Sequence, residues 1–256
     1  MTKLVINADD FGYSKGVNLG IMEAFHNGVV SSTTMMANMP GAAHAAALAL
    51  DNPKLGVGIH LVLDCGKPVH PAVPSLVDDR GYFHKTEKMI QSANLKDIEN
   101  ELHSQMEKFQ SFGLIPTHLD SHHLVHGHEK IYPVMEGIAQ YYNLPIRKVS
   151  ANPSHSSNVK LRTTEFFCHE FYGEELTVPF LINLIEKCAS YNTAELMCHP
   201  AFIDEPLLTG SSYSLQRVKE LAILCDSEIR NVLKNKDIKL VTYKEVIEDY
   251  DTEGGD

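Results

Sequence analysis

The chain has 256 residues, 43% of them hydrophobic, and 22 basic against 33 acidic residues give it a net charge of −11. That length suits one α/β domain with a sizeable core, a barrel of about 250 residues being ordinary. The acidic balance excludes a nucleic-acid backbone or an anionic membrane surface as the natural partner.

In chain order, Leu4-Val5-Ile6-Asn7-Ala8 is mostly apolar and stops at Asp9-Asp10-Phe11-Gly12. This reads as a buried parallel strand entering a loop. Two like charges side by side at the end of a buried strand are costly. They are accommodated where one binds a cation and the other works as a base, although a bare Asp-Asp pair is more often a solvated turn. Ser14 caps a helix over about 15–27, with Val17, Ile21, Ala24 and Phe25 inward and Gly28 at its end. Residues 33–39 alternate as a strand, and 41–50 form an alanine-rich helix. In the strand 55–63 the odd positions are large and apolar, while the even ones are Gly56, Gly58, His60 and Val62. Period two therefore sets His60 in line with two glycines on the face opposite the core. Glycines there leave room for something to approach, and in a closed barrel that face is the lumen.

Residues 64–92, with Pro68, Pro71, Pro74 and Gly81, form a long loop that serves as a lid or substrate rim. A helix over 95–112 closes at Gly113. A short strand over 116–121 sets His118, Asp120 and His122 on one side. A helix over 129–142, a strand over 146–150 and a second loop excursion over 151–175 follow. Thr177 caps a helix to 190, and a strand over 194–198 runs into His199-Pro200. Residues 201–213 are loop. One long helix carries Leu215 through Val232, and a last strand spans 238–243 before a short helix and a polar tail. About seven strands alternate with helices without a linker. The pattern predicts a single-domain α/β fold, an irregular seven-stranded (β/α) barrel over 1–256, with an open doubly wound sheet as the alternative. The dinucleotide GxGxxG fingerprint and the P-loop are both absent.

The unusual polar residues cluster at one kind of position. Asp9 and Asp10 end the first strand, His60 lies towards the end of the third, and Asp120 and His122 end the fourth. Arg147 lies in the fifth and His199 ends the sixth. The C-terminal ends of parallel strands open to one rim, where active sites sit. Taken singly, His60 is more often a core histidine and His122 a loop residue. With a carboxylate they make a two-histidine, one-carboxylate set that leaves coordination positions open. Adjacent side chains diverge, so one of His122 and His123 ligates, and His126 orients substrate or supports a ligand. Two imidazoles favour Zn²⁺ over Mg²⁺. Cys198 points into the wall, away from His199. Five scattered cysteines without a CxxC pair, no apolar run near ~20 residues and no signal-peptide pattern predict a reduced, cytoplasmic protein.

The set Asn7-Ala8-Asp9-Asp10-Phe11-Gly12, Gly58-Ile59-His60, Thr117 to His126 and Cys198-His199-Pro200 resembles the YdjC-like carbohydrate deacetylases, which include chitooligosaccharide deacetylases. The resemblance runs over about 3–245. It implies an irregular (β/α) barrel that removes N-acetyl groups from short amino-sugar oligomers, phosphorylated or not, with one divalent metal, usually Mg²⁺. It implies Asp10, His60 and His122 as metal ligands, Asp9 as base and His199 as acid. From their own positions, His126 and Arg147 are expected at the substrate. Ala201 stands where glycine is expected after His-Pro, which narrows the rim near His199. The rivals are another metal-dependent hydrolase on the same rim, a phosphoesterase or amidase, and a non-catalytic sugar- or metal-binding protein. A homodimer is compatible with the sequence, but nothing in it specifies one.

Overall fold

The computed structural model of the chain describes residues 1–149 and 161–246. Seven strands form one curled parallel sheet: β1 (Thr2–Phe11), β2 (Ser32–Met35), β3 (Gly56–Leu61), β4 (Leu119–Ser121), β5 (Phe166–Cys168), β6 (Thr193–Cys198) and β7 (Ile238–Leu240). The order is β4-β3-β2-β1-β6-β5, with β7 on β1. The long β1 is the spine. One edge pairs first with β7 and then with β2, while β6 follows the other edge from Lys3 to Ala8. Single contacts draw the sheet's two ends together. Ile146 bridges to Leu119 of β4, and its N–H donates to the carbonyl of Arg162, four residues before β5. The result is a deformed, barrel-like curl.

Nine α-helices lie wholly among the described residues: α1 (Lys15–His26), α2 (Ala42–Asp51), α3 (Thr86–Ser92), α4 (Leu95–Ser111), α5 (Tyr132–Tyr141), α6 (Val178–Cys188), α7 (Glu205–Gly210), α8 (Leu215–Leu224) and α9 (Ser227–Asn235). Ser14 and Thr177 cap α1 and α6 as their sequence contexts predict, accepting from the Val17 and Phe180 N–H groups. Leu4, Ile6 and Ala8 of β1 join the main apolar core, while Val5 packs separately with Val241, Tyr243 and Val246 on the barrel floor.

Several boundaries differ from the sequence expectation. The strand over 146–150 reduces to the single bridge at Ile146, and Ser150 lies outside the described residues. A strand forms instead at Phe166–Cys168, inside the expected loop, and is too short to show periodicity. The rest of that loop up to 160 lies outside the described residues. The long helix over 215–232 breaks into α8 and α9 because the Asp226 side chain accepts from the Glu228 N–H and starts a new helix. The excursion 64–92 carries α3 and an antiparallel bridge from Val77 to Phe83. It is tied to α4, where Asp97 accepts from Ser75 and Glu101 accepts from the Val69 and His70 N–H groups. The loop over 201–213 holds α7.

The glycine face of β3 is not an empty lumen. A β-carbon on Gly58 would lie 2.5 Å from the His118 ring, and one on Gly56 would lie 2.9 Å from Thr242 Cβ. His118 in turn stacks on Tyr243, centroids 3.8 Å apart, and the Tyr243 hydroxyl donates to Glu195. The interior is therefore a packed column of side chains, apolar at the floor and increasingly polar towards the rim.

Candidate active site

The rim begins at Asp9-Asp10. Asp10 has φ 72, left-handed for a residue with a side chain, which breaks the strand's alternation. Both carboxylates consequently face the same cavity, of about 550 Å³. Each has its own arginine. Arg147 donates to both oxygens of Asp9 at 2.6 and 2.7 Å, and Arg217 donates to Asp10 Oδ2 at 2.6 Å. Burial works to raise the Asp9 pKa, but the Arg147 guanidinium outweighs it and holds the group well below the usual carboxylate range. Asp10 is likewise depressed, against burial, by Arg217 and His60.

β3 and β4 run in a register that pairs His60 with Asp120. His60 Nδ1 meets Asp120 Oδ1 at 2.7 Å, and its Nε2 faces Asp10 Oδ1 at 3.4 Å. Burial alone would lower the His60 pKa. Asp120 and the hydrogen bond to Asp10 instead raise it to about 10. His122 opens a tight turn, and its Nδ1 meets Asp64 Oδ1 at 2.6 Å. The His60 and His122 rings stand edge to face, centroids 5.8 Å apart. Both imidazoles are thus oriented through Nδ1 by a buried carboxylate, leaving Nε2 for a ligand.

His123 and Leu124 are both left-handed, with φ 52. That turn brings His123 back beside His122, ring centroids 3.7 Å apart, and His123 Nδ1 takes the other oxygen of Asp64 at 2.7 Å. The neighbours therefore do not diverge as strand geometry suggests. Two groups of candidate ligand atoms fall within 4.8 Å of one another: Asp64, His122 and His123; and Asp9, His60 and Asp120. In the second group Arg147 already supplies the positive charge to Asp9 and Asp120. His122 from the first group, His60 from the second and Asp10 from neither all line the cavity wall. Their donor set, two backed imidazoles and a carboxylate oxygen, suits a divalent cation.

His199 ends β6 on the same cavity. Its backbone N–H donates to Glu220, and its ring Nδ1 has no partner among the described residues. Burial and then Arg217 lower its pKa to about 4. Cys198 packs into the wall, as alternation predicts, with Sγ against the Asn7 carbonyl at 3.4 Å.

Two residues expected at the substrate lie behind the site instead. Arg147 is fully buried, and Asp9, Asp120 and Glu195 surround its guanidinium. His126 is also enclosed, bonding Ser121 Oγ at 2.6 Å and the Arg147 carbonyl at 3.3 Å. Its pKa falls to about 3 through burial and then Arg147. Neither lines the cavity. At that depth a guanidinium is retained only by multiple carboxylates. Ala201 is buried against Gly20 of α1, so it does not narrow the rim. Asp64, Glu220 and the aromatic residues Tyr172 and Tyr213 were not anticipated. Asp64 had a signal, since it directly follows the apolar run of β3.

Fold and site together define a barrel-like α/β protein with histidines and carboxylates gathered at the C-terminal rim. The fold is shared with a family 4 carbohydrate esterase from Streptomyces lividans, at TM-score 0.54 and 11% identity, covering 93% of this chain and 91% of that one. The family is narrower. Residues 3–235 match the model of the YdjC-like protein family, and the chain belongs to it. It is 53% identical to a carbohydrate deacetylase from Geobacillus stearothermophilus, covering 94% of this chain and 96% of the relative. It is 42% identical to a chitooligosaccharide deacetylase from Yersinia enterocolitica, covering 94% and 98%. A crystal structure from Enterococcus faecalis V583, of a protein named for cellobiose-phosphate cleavage, aligns at TM-score 0.91 and 35% identity, covering 96% and 98%.

Proposed function

We propose that this chain is a metal-dependent hydrolase that removes N-acetyl groups from short amino-sugar oligosaccharides of the chitooligosaccharide type, with or without a phosphate on the sugar. One observation carries the reading. His60 and His122, each held at Nδ1 by a buried carboxylate, stand beside Asp10 on the cavity wall. The relatives named as carbohydrate and chitooligosaccharide deacetylases support the substrate class. Asp10, His60 and His122 are the ligands of one divalent cation. Family resemblance implies Mg²⁺, and two imidazoles favour Zn²⁺. Held by these residues, such a cation would supply Lewis-acid polarisation of an acetamide carbonyl and a lowered pKa for bound water.

The remaining work falls to the chain itself. Asp9, ionised at any working pH and held in one orientation by Arg147, accepts the proton of the attacking water. The water oxygen joins the carbonyl carbon, and the C–N bond breaks. The amine leaves only if its nitrogen is protonated, and His199 delivers that proton. His199 is neutral near pH 7 in the resting cavity, so the proton it delivers is gained within the cycle, from the one Asp9 removed.

A phosphoesterase reading is less favoured. Arg147 is enclosed by Asp9, Asp120 and Glu195 and does not line the cavity, and the charge of Arg217 is already matched by Asp10, so neither guanidinium brings a spare positive charge to a phosphate. All the residues in these roles come from one chain, so the reading does not require a homodimer. Acetate release from N,N′-diacetylchitobiose, with and without chelator, tests the proposal. Release that chelator abolishes is the expected result. No acetate from any N-acetylated sugar overturns it, and chelator-insensitive release overturns the metal assignment.

A further inference from the structure

The cavity wall beside His199 is aromatic. Tyr172, on the loop between β5 and α6, and Tyr213, between α7 and α8, lie face to face with centroids 4.0 Å apart and planes within 11°. His199 stands edge-on to both, at 5.6 and 6.0 Å. Tyr213 is only 8% exposed and is pinned. Its hydroxyl donates to Glu220 at 2.6 Å and accepts the Gly173 N–H at 3.0 Å. Gly173 has φ +108, a conformation side chains resist, and the turn it makes aims that N–H at the hydroxyl. The Arg217 guanidinium lies 5.8 Å from the Tyr213 centroid.

Tyr172 differs. One face is covered by Tyr213, yet the residue is 52% exposed and lines the cavity. An apolar face of this size, backed by a fixed ring and left open beside the reacting groups, is matched by a flat ligand ring with an apolar face of its own. A pyranose presents such a face through its axial C–H groups. Stacked on the open face of Tyr172, such a ring keeps a substituent amide next to His199, whose ring centroid is 5.6 Å from that of Tyr172.

We propose that Tyr172 is the stacking platform for the sugar ring that bears the acetamide, with Tyr213 as its rigid backing. The inference rests on the deacetylase reading and deepens it. The platform selects amides carried on a sugar ring over small amides of the same reactivity.

The test compares the parent, Tyr172→Ala and Tyr172→Phe as metal-loaded full-length chains. The first readout is deacetylation of N,N′-diacetylchitobiose. The second is calorimetric binding of chitobiose, the fully deacetylated sugar, which needs no turnover. Thermal melts check that each variant folds. Tyr172→Ala is expected to raise KM and weaken chitobiose binding by tenfold or more, with the loss falling on KM rather than kcat. Tyr172→Phe, which keeps the ring, rescues both. The proposal is overturned if Tyr172→Ala binds chitobiose within twofold of the parent, or if kcat falls while KM is unchanged. If no acetate is released but chitobiose binds the parent and not Tyr172→Ala, the platform stands and the deacetylase reading fails. If the parent neither releases acetate nor binds chitobiose, both fail.

Discussion

Asp9 and Asp10 are adjacent in the chain yet answer to different arginines. The left-handed backbone at Asp10 lets both reach the cavity, and each guanidinium offsets the cost of one buried charge. Asp9→Asn keeps the shape and an acceptor oxygen for Arg147, whose charge still has Asp120 and Glu195. We expect kcat to fall about 10²–10⁴-fold, the span of general-base removal, while calorimetry shows divalent-cation binding retained. Loss of cation binding would exchange the roles of the two aspartates. Glu220 makes a pH prediction. Burial raises its pKa from 4.5 to about 7, although Tyr213 and the His199 N–H both donate to it. Between those values the folded protein holds a proton that the unfolded chain has released. Stability from this group is therefore fully present below about pH 4.5, declines as pH rises through 7, and is flat above. The full decline is on the order of 3 kcal/mol. Urea titrations of the parent from pH 4.5 to 8 should show it, and Glu220→Gln should remove it.

At the scale of elements, the site depends on β3 and β4 staying close. The small face of β3 accepts the His118 ring from the start of β4, and Tyr243 stacks on that ring from below. Gly58→Ala would press a methyl onto His118. It should cost about 1–3 kcal/mol, as overpacked cores do, read as a lower urea midpoint. The alternation of Gly56, Gly58 and His60 was legible because period two is a local property of a strand. What fills the space beside the glycines was not, because His118 and Thr242 come from elsewhere in the chain. The three-residue β5 and the single rung at Ile146 were illegible for another reason. Their pairing is imposed by neighbours, and they carry no pattern of their own. The left-handed turn at His123-Leu124 has no glycine to announce it.

At the scale of the molecule, the cavity is assembled across nearly the whole chain; Asp10 and Arg217 are 207 positions apart. A cation that binds only the folded rim stabilises the whole fold. At a hundredfold excess over Kd the gain is about 2.7 kcal/mol, or roughly 5–10 °C in Tm for a chain of this size. Calorimetric scans with and without Mg²⁺ or Zn²⁺ should show it, and His122→Ala should abolish it. Among the described residues no helix is long and apolar enough to cross a membrane.

The sequence by itself determined the α/β class, most of the helices and the gathering of Asp9, Asp10, His60, His122 and His199 at one rim. Strand ends and helix faces follow from local periodicity, and parallel strands share one C-terminal edge. Only the tertiary structure decided how the two aspartates are neutralised, that Arg147 and His126 stand behind the site, that Asp64 backs His122, and that Tyr172 lies open on Tyr213. Each of these is a pairing between distant residues in a buried, low-dielectric interior. There, which charge meets which partner depends on packing that no local pattern encodes.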